Sequence, residues 1–190
     1  MSQKELISID LNLREVSRMI SGLAEAGKNT TPLMRRIAGT LASLTAQNFQ
    51  DEGHPPWQPS VAAQKRSGQT LSDRGHLRRS ITEDYDIRYA RVGTNVEYAG
   101  IHQSGGTVKH KAREVILHRK VDKHGNLTAG FVKKNRANFV QKARTGAWTQ
   151  VFVARPFLPV DAQGRPQKGL AENILRLATD FLRDAANSTR

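Results

Sequence analysis

The residues best suited to chemistry lie in one short stretch, LSDRGHLRRSI at positions 71–81. Ser72, Asp73 and His76 are the three residue types of a hydrolytic triad, in which the acid orients the base and the base activates the serine. Residues this close in sequence do not easily converge within one short helix, and the chain has no GxSxG turn. Helix capping is the better interpretation, because a Ser72 or Asp73 oxygen at a helix start accepts backbone N–H bonds worth about 1 kcal/mol. We therefore predict a capped short helix and no catalytic residue.

Other residues of possible chemical use do not form a recognisable site. The six histidines show no HExxH motif and no clear pair on a helix face, so no metal is expected. The SGGT run at 104–107 lacks the spacing and the lysine of a phosphate loop and is interpreted as a hinge. Glu83, Asp84 and Asp86 either form ion pairs on a solvated strand or face a neighbouring subunit. His102 is expected to be partly buried. No cofactor or small-molecule substrate is expected.

The positive charge of the chain is concentrated in one segment. The 190 residues carry a net charge of +13, and positions 105–150 supply +9 of it, with two acidic residues among eleven basic ones. The basic residues of this insert are Lys109, Lys111, Arg113, Arg119, Lys120, Lys123, Lys133, Lys134, Arg136, Lys142 and Arg144. Such a surface suits an acidic partner protein, DNA phosphates contacted without sequence readout, or solvent alone. All three interpretations stay open, and we favour the partner protein.

The strands and helices that must position these residues are predicted from the spacing of apolar residues along the chain. Alternating or β-branched runs predict strands at 7–13, 85–92 and 148–154, and a hairpin in the insert that pairs 114–121 with 127–133 around a glycine turn. A turn is predicted at 93–95. Helical spacing predicts helices at 13–27, 31–49 and 170–185, and a single turn at 97–103. The second helix begins with Thr31 as candidate cap and Pro32 at its first position.

These elements predict an α+β fold. A small, mainly antiparallel sheet is packed by two N-terminal helices and one C-terminal helix, with a basic β-hairpin insert. We expect a single domain over 1–190, with the insert or arm at about 105–150. The absence of cysteine excludes disulfides, and no apolar run is long enough to cross a membrane.

Two further features are candidates for partner contact. Trp57 lies in a proline-rich loop, where it is either an exposed interface hot spot or a local core plug. In the short helix, Leu77 and Ile81 are expected to face inward, while Arg78 and Arg79 face outward towards solvent, a neighbouring subunit or DNA.

Four separated segments follow one another in a recognisable order. They are PPW at 55–57, LSDRGHLRRSI at 71–81, VGTNVEYAGIHQSG at 92–105 and ARPFL at 154–158. With a helix pair before them and a helix after them, they resemble the phage virion morphogenesis family, the tail completion proteins of Mu-like bacteriophages and prophages. The resemblance runs over nearly the whole chain.

The resemblance implies a structural role and no catalytic residues. It implies a protein that completes the tail and takes part in head–tail joining in the neck of the virion, as a homo-oligomeric ring made in the host cytoplasm. The implied partners are other copies, neighbouring neck and tail proteins, and double-stranded DNA in the lumen. The alternative functions are a non-sequence-specific nucleic-acid-binding protein and, from Ser72 and His76 alone, a hydrolase.

Overall fold

The computed structural model describes residues 7–8, 18, 21–22 and 29–187. The chain divides into two compact units. The body comprises Met1–Gly106 and Val153–Arg190, and the insert is Thr107–Phe152. Each unit is described by itself below.

The secondary structure is mixed, which confirms the predicted α+β class. In chain order the described elements are β1 (Ile7–Ser8), α1 (Thr31–Gln50), α2 (Val61–Lys65), α3 (His76–Arg79), β2 (Thr82–Tyr85), β3 (Ala90–Thr94), α4 (Ala99–Ser104), β4 (Gly106–His110), β5 (Arg113–Arg119), a 3-10 turn (Lys134–Arg136), β6 (Phe139–Thr145), β7 (Trp148–Phe152) and α5 (Leu170–Asn187). The strands form three small sheets, ordered β1-β3-β2, β4-β7 and β5-β6, rather than the one sheet that was predicted.

Helix α1 is the central helix of the body. Pro32 lies in its first turn, where a missing N–H costs nothing, but the capping position is Thr30 rather than Thr31. The Thr30 hydroxyl donates to the Ile87 carbonyl and accepts no backbone N–H from its own helix. The apolar face of α1 packs against β2, β3 and α5, as the predicted spacing required. The predicted helix 13–27 lies mostly outside the described residues, of which Arg18 is helical.

The body sheet differs from the prediction in one respect. The predicted strand at 85–92 is wrong, because the chain reverses within it: β2 and β3 are antiparallel, with register from Thr82↔Gly93 to Tyr85↔Ala90. The Asp86 carboxylate accepts the Ile87 N–H at 2.7 Å, and the Asp86 N–H donates to the Tyr89 carbonyl at 2.9 Å. This local hydrogen bonding makes a turn where apolar alternation suggests a strand. The predicted turn at 93–95 falls partly inside β3, because the chain reverses earlier, between β2 and β3.

The core of the body lies between α1, β3, α5 and the segment that follows the insert. Its buried apolar side chains include Leu33, Met34, Ile37, Leu41, Phe49, Leu77, Val92, Phe157, Leu158, Leu170, Ile174 and Ala178. The rings of Phe49 and Phe157 lie 5.4 Å apart, so the end of α1 contacts the ARPFL segment directly. The predicted C-terminal helix is confirmed, with Ile174 and Ala178 on its inner face.

The insert consists of two-stranded ribbons. Strand β5 pairs with β6 in antiparallel register from Arg113↔Thr145 to Arg119↔Phe139. The predicted partner at 127–133 is therefore wrong, and a segment with little apolar pattern supplies the strand instead. Asp122 does build the predicted turn, accepting N–H bonds from His124 and Asn126, but Gly130 at φ +88° interrupts the extended run that follows.

Candidate interaction surfaces

The short helix α3 starts later than the sequence suggested. Its capping residue is Gly75, held at φ +66°, so the prediction that Ser72 or Asp73 caps it is wrong. Glycine adopts this left-handed conformation without the steric cost of a β-carbon, which allows the chain to enter the helix abruptly. Asp73 instead lies 3.6 Å from the Arg66 guanidinium as an exposed ion pair.

The three triad-type residues do not form a hydrolytic arrangement. The His76 Nδ1 is 3.0 Å from the Tyr98 hydroxyl, and no hydrogen bond joins it to Ser72 or Asp73. The Ser72 hydroxyl is buried and has no hydrogen-bond partner within the described part of the chain. A base that contacts neither the serine nor the acid cannot activate this serine. Across residues 29–187 with the shorter described stretches, no three potential ligands cluster as a metal site, and no helix there could span a bilayer.

The ARPFL segment is held by one buried glutamine. The Gln103 Oε1 accepts hydrogen bonds from the backbone N–H groups of Phe157 and Leu158, both at 3.0 Å. Its Nε2 donates to the Val160 carbonyl at 3.0 Å. Three backbone groups of one extended segment are thus satisfied by the last turn of α4. Burial of unpaired backbone groups is costly, so Gln103 fixes the position of this segment.

Residues from the PPW loop and α1 hold the same segment from other directions. The Trp57 Nε1 donates to the Pro156 carbonyl at 3.0 Å, and the Asn48 Nδ2 donates to the Phe157 carbonyl at 3.1 Å. The buried Arg155 donates from Nε to the Gln58 carbonyl at 2.8 Å. The polar residues around the ARPFL segment therefore act as structural links.

The other two sequence signatures also contact each other. The hydroxyls of Ser80 and Thr94 are 2.6 Å apart, which joins the end of α3 to β3. His76 and Tyr98 make a second connection between the same two signatures. All four signature segments thus meet inside the body, where they form a scaffold. Sequence spacing could not show this, because the contacts join positions far apart in the chain.

Trp57 could be either an exposed interface hot spot or a local core plug, and the structure shows the core plug. Only 7% of the residue is exposed, so its expected role as an exposed hot spot is wrong. Its ring meets that of Phe49 edge-on at 6.1 Å and lies against Gly53. An open groove of about 940 Å³ lies beside it, with Leu158 and Pro166 among its lining residues.

The predicted orientation of α3 is confirmed in its essentials. Leu77 is buried, Ile81 packs partly against the core, and Arg78 and Arg79 are exposed. His102, on α4, is half-buried as expected. Burial and the nearby charge of Arg155 lower the pKa of His102 below its ordinary value, which favours the neutral imidazole.

The insert contains many charges that nothing neutralises. Ten of its eleven basic residues are exposed, and Arg119, the exception, is half-buried and donates to the Thr128 carbonyl. None of the eleven forms an ion pair within the described residues. Of the two acidic residues, Asp122 is occupied by the backbone N–H groups of its own turn, which lower its pKa. The insert is therefore a surface of net positive charge.

The insert also lacks a hydrophobic core of its own. No residue from Thr107 to Phe152 is buried. Its large exposed apolar residues are Ile116, Leu127, Phe131, Phe139, Val140, Trp148 and Val151. Trp148 stacks on the His110 ring at 3.9 Å and is still 52% exposed. Aromatic residues and arginines are enriched at protein interfaces, whereas lysines are depleted there, so the exposed aromatic residues are the feature that favours a protein partner.

One acidic surface lies on the body. Strand β2 is at the edge of its sheet in the described structure and carries the exposed Glu83 and Asp84, with Asp86 immediately after it. Arg91 donates from Nε to the Asp84 carboxylate at 2.9 Å, and this hydrogen bond lowers the Asp84 pKa. Glu83 and Asp86 have no ion-pair partner within the described part of the chain.

Comparison with known proteins now identifies the family. The model of the phage virion morphogenesis family matches residues 11–167, which include both the body signatures and the insert. The chain belongs to the phage virion morphogenesis family. Membership gives it a role in the structure or assembly of a phage particle, and the resemblance noted in the sequence is thereby confirmed.

Two curated relatives are consistent with this family. The "Mu-like prophage FluMu G protein 2" of Haemophilus influenzae is 43% identical over 102 residues, which cover 53% of this chain and 72% of that protein. The "Putative capsid assembly protein G" of Escherichia phage Mu is 35% identical over 116 residues, covering 53% of this chain and 74% of that protein. No solved structure matches the chain.

Proposed function

We propose that this protein completes the phage tail and takes part in joining it to the head, as a ring of identical subunits in the neck. The observation that carries the proposal is the insert, which combines unneutralised positive charge, exposed apolar residues and the absence of any buried residue. A surface of this kind gains stability when a partner covers it. A family role in virion assembly supplies partners of the required kind.

The body and the insert have different roles in this proposal. The body is a preformed scaffold, because Gln103, Asn48 and Trp57 satisfy the buried backbone of the ARPFL segment. The insert supplies contact with neighbouring neck and tail proteins. Arg78 and Arg79, exposed on α3, offer a second basic surface.

Removal of the insert tests this role. A prophage whose copy lacks residues 109–144, bridged by a short Gly/Ser linker, is induced and its particles are counted by electron microscopy. We expect filled heads and separate tails, with few joined virions. Circular dichroism and thermal unfolding of the purified variant should show a folded body. Joined virions at the wild-type frequency would contradict the proposal, and wild-type protein supplied in trans is the control.

DNA contact is the second candidate function, and the ten exposed, unpaired cations of the insert favour it. Basic side chains that meet phosphates release counterions, so affinity for duplex DNA falls steeply as salt rises. Fluorescence anisotropy with a labelled duplex at about 50 and 200 mM salt would show a loss of orders of magnitude if six or more phosphates are contacted. The deletion variant should then lose DNA binding. Equal binding by both proteins would place any DNA contact outside the insert.

A further inference from the structure

We propose that the free edge of β2 in one copy receives β6 from the insert of the next copy in the ring. Glu83 of the first copy would lie against Lys142 of the second, and Asp86 would add to the negative charge that attracts the insert. The inference rests on the proposed ring and specifies its subunit contact. The partner is a second copy of this chain.

The receiving surface is an exposed sheet edge. In the described structure, β2 pairs with β3 on one side and with no strand on the other. An unpaired edge presents backbone N–H and C=O groups that a further strand can bond, and it is a hazard unless it is covered. Three acidic residues within Thr82–Asp86 are unusual in a chain of net charge +13. Asp84 is already bonded to Arg91, and one oxygen of Asp86 accepts the Ile87 N–H, so Glu83 is the carboxylate most available to a partner.

The donating surface is the ribbon of β5 and β6. Isolated two-stranded ribbons are only marginally stable, and pairing with a third strand would stabilise the ribbon of β5 and β6. Opposed residues of an antiparallel pair share a face, so Ile116 lies beside Lys142 and His118 beside Val140. Ile116 is 60% exposed and Val140 is 57% exposed. Pairing through β6 would bring Lys142 to the acidic edge of β2 and give the ribbon a further strand partner.

The charges and the unpaired strand edges together favour this partner over two others. Two inserts packed against each other would oppose +9 with +9 and leave both unneutralised. DNA would neutralise the cations, but it offers no backbone amide edge with which the unpaired edge of β6 could form a strand pair. An acidic strand edge of a second copy satisfies both the charge and the unpaired backbone of β6.

Cysteine cross-linking gives a direct test, because the natural chain has no cysteine. A Glu83→Cys variant and a Lys142→Cys variant are mixed and oxidised, so that a disulfide between them is necessarily intermolecular. We expect a covalent dimer containing one of each variant. Glu172→Cys, an exposed position on α5, replaces Glu83→Cys in the matched control and should give none.

A charge exchange tests the energetics. Glu83→Lys with Asp86→Lys, or Lys142→Glu with Arg144→Glu, should each raise the subunit concentration needed for ring assembly roughly tenfold or more, measured by mass photometry. The variant with all four changes should recover assembly to within about threefold of wild type. Circular dichroism checks that each variant is folded.

Each outcome bears on a different statement. Rings that form without the cross-link and ignore the charge exchange would overturn the β2–β6 contact while leaving the proposed function intact. A protein that stays monomeric at all concentrations would overturn both the contact and the ring. Loss of DNA binding without loss of assembly in the Lys142→Glu, Arg144→Glu variant would assign this face to DNA and overturn the inference.

Discussion

Replacing Gln103 by leucine tests whether the body is held together by its polar links. Leucine has a similar volume and fits the apolar surroundings, but it offers no hydrogen bond. The substitution leaves three groups without their partner: the N–H groups of Phe157 and Leu158 and the Val160 carbonyl. Because Gln103 is only 5% exposed, water cannot easily replace it.

The size of the effect follows from the number of groups left unpaired. A buried donor or acceptor without a partner costs about 1–3 kcal/mol. Three such groups, with some relaxation of the segment, should lower the free energy of unfolding by about 3–6 kcal/mol. This is a large part of the roughly 5–15 kcal/mol that holds a typical domain folded. Gln103→Leu should therefore be close to unfolding at 25 °C.

Urea denaturation followed by tryptophan fluorescence measures this loss. Trp57 is buried and should report unfolding of the body, whereas Trp148 is already half exposed. With a denaturant slope of about 2 kcal/mol per molar, the midpoint should fall by roughly 1.5–3 M. Gln64→Leu, at an exposed position of α2, is the matched control and should change stability by less than about 0.5 kcal/mol. A loss below about 1 kcal/mol for Gln103→Leu would refute the reasoning.

Three further substitutions probe other parts of the body. Gly53→Ala should destabilise it by about 2–5 kcal/mol in thermal unfolding, because Gly53 has φ +95° and a β-carbon would lie 2.2 Å from the Trp57 Nε1. Arg91→Gln should raise the Asp84 pKa towards its ordinary value in a carbon-13 NMR titration. Since the folded-state pKa is the lowered one, the stabilisation by Arg91 should be present at pH 7 and disappear as pH falls through that pKa. Ser72→Ala should be neutral or stabilising, because it removes a buried hydroxyl that lacks a partner in the described structure; a marked loss would reveal a hidden contact.

Long periodic helices were the most predictable part of the fold. The apolar stripes of α1 and α5 are local patterns with many repeats, and both helices occur where the pattern placed them. Helix α3 was also predicted, but its start was not, because Gly75 competes with Ser72 and Asp73 as a cap. The difference depends on a backbone conformation that residue types alone do not fix.

Strand pairing was predicted less well, for a physical reason. A strand of four or five residues gives a weak pattern, and its partner is chosen by contacts distant in sequence. The Asp86 turn divides one apparent strand into two, and β6 has too few apolar residues to be recognised before its pairing with β5 is known. The hydrogen bonds between Gln103 and the ARPFL segment could not be predicted from the sequence either, because they join residues more than fifty positions apart.

The body and the insert differ in how many of their polar and apolar side chains have partners within the same unit. In the body, buried polar side chains such as Gln103 and Asn48 have backbone partners, and apolar residues enclose a core. In the insert, cations lack ion pairs in the described structure and no residue is buried. A unit that cannot bury its apolar residues alone contributes little to the stability of a monomer. The proposed contacts with neighbouring proteins would supply the burial that the insert lacks by itself.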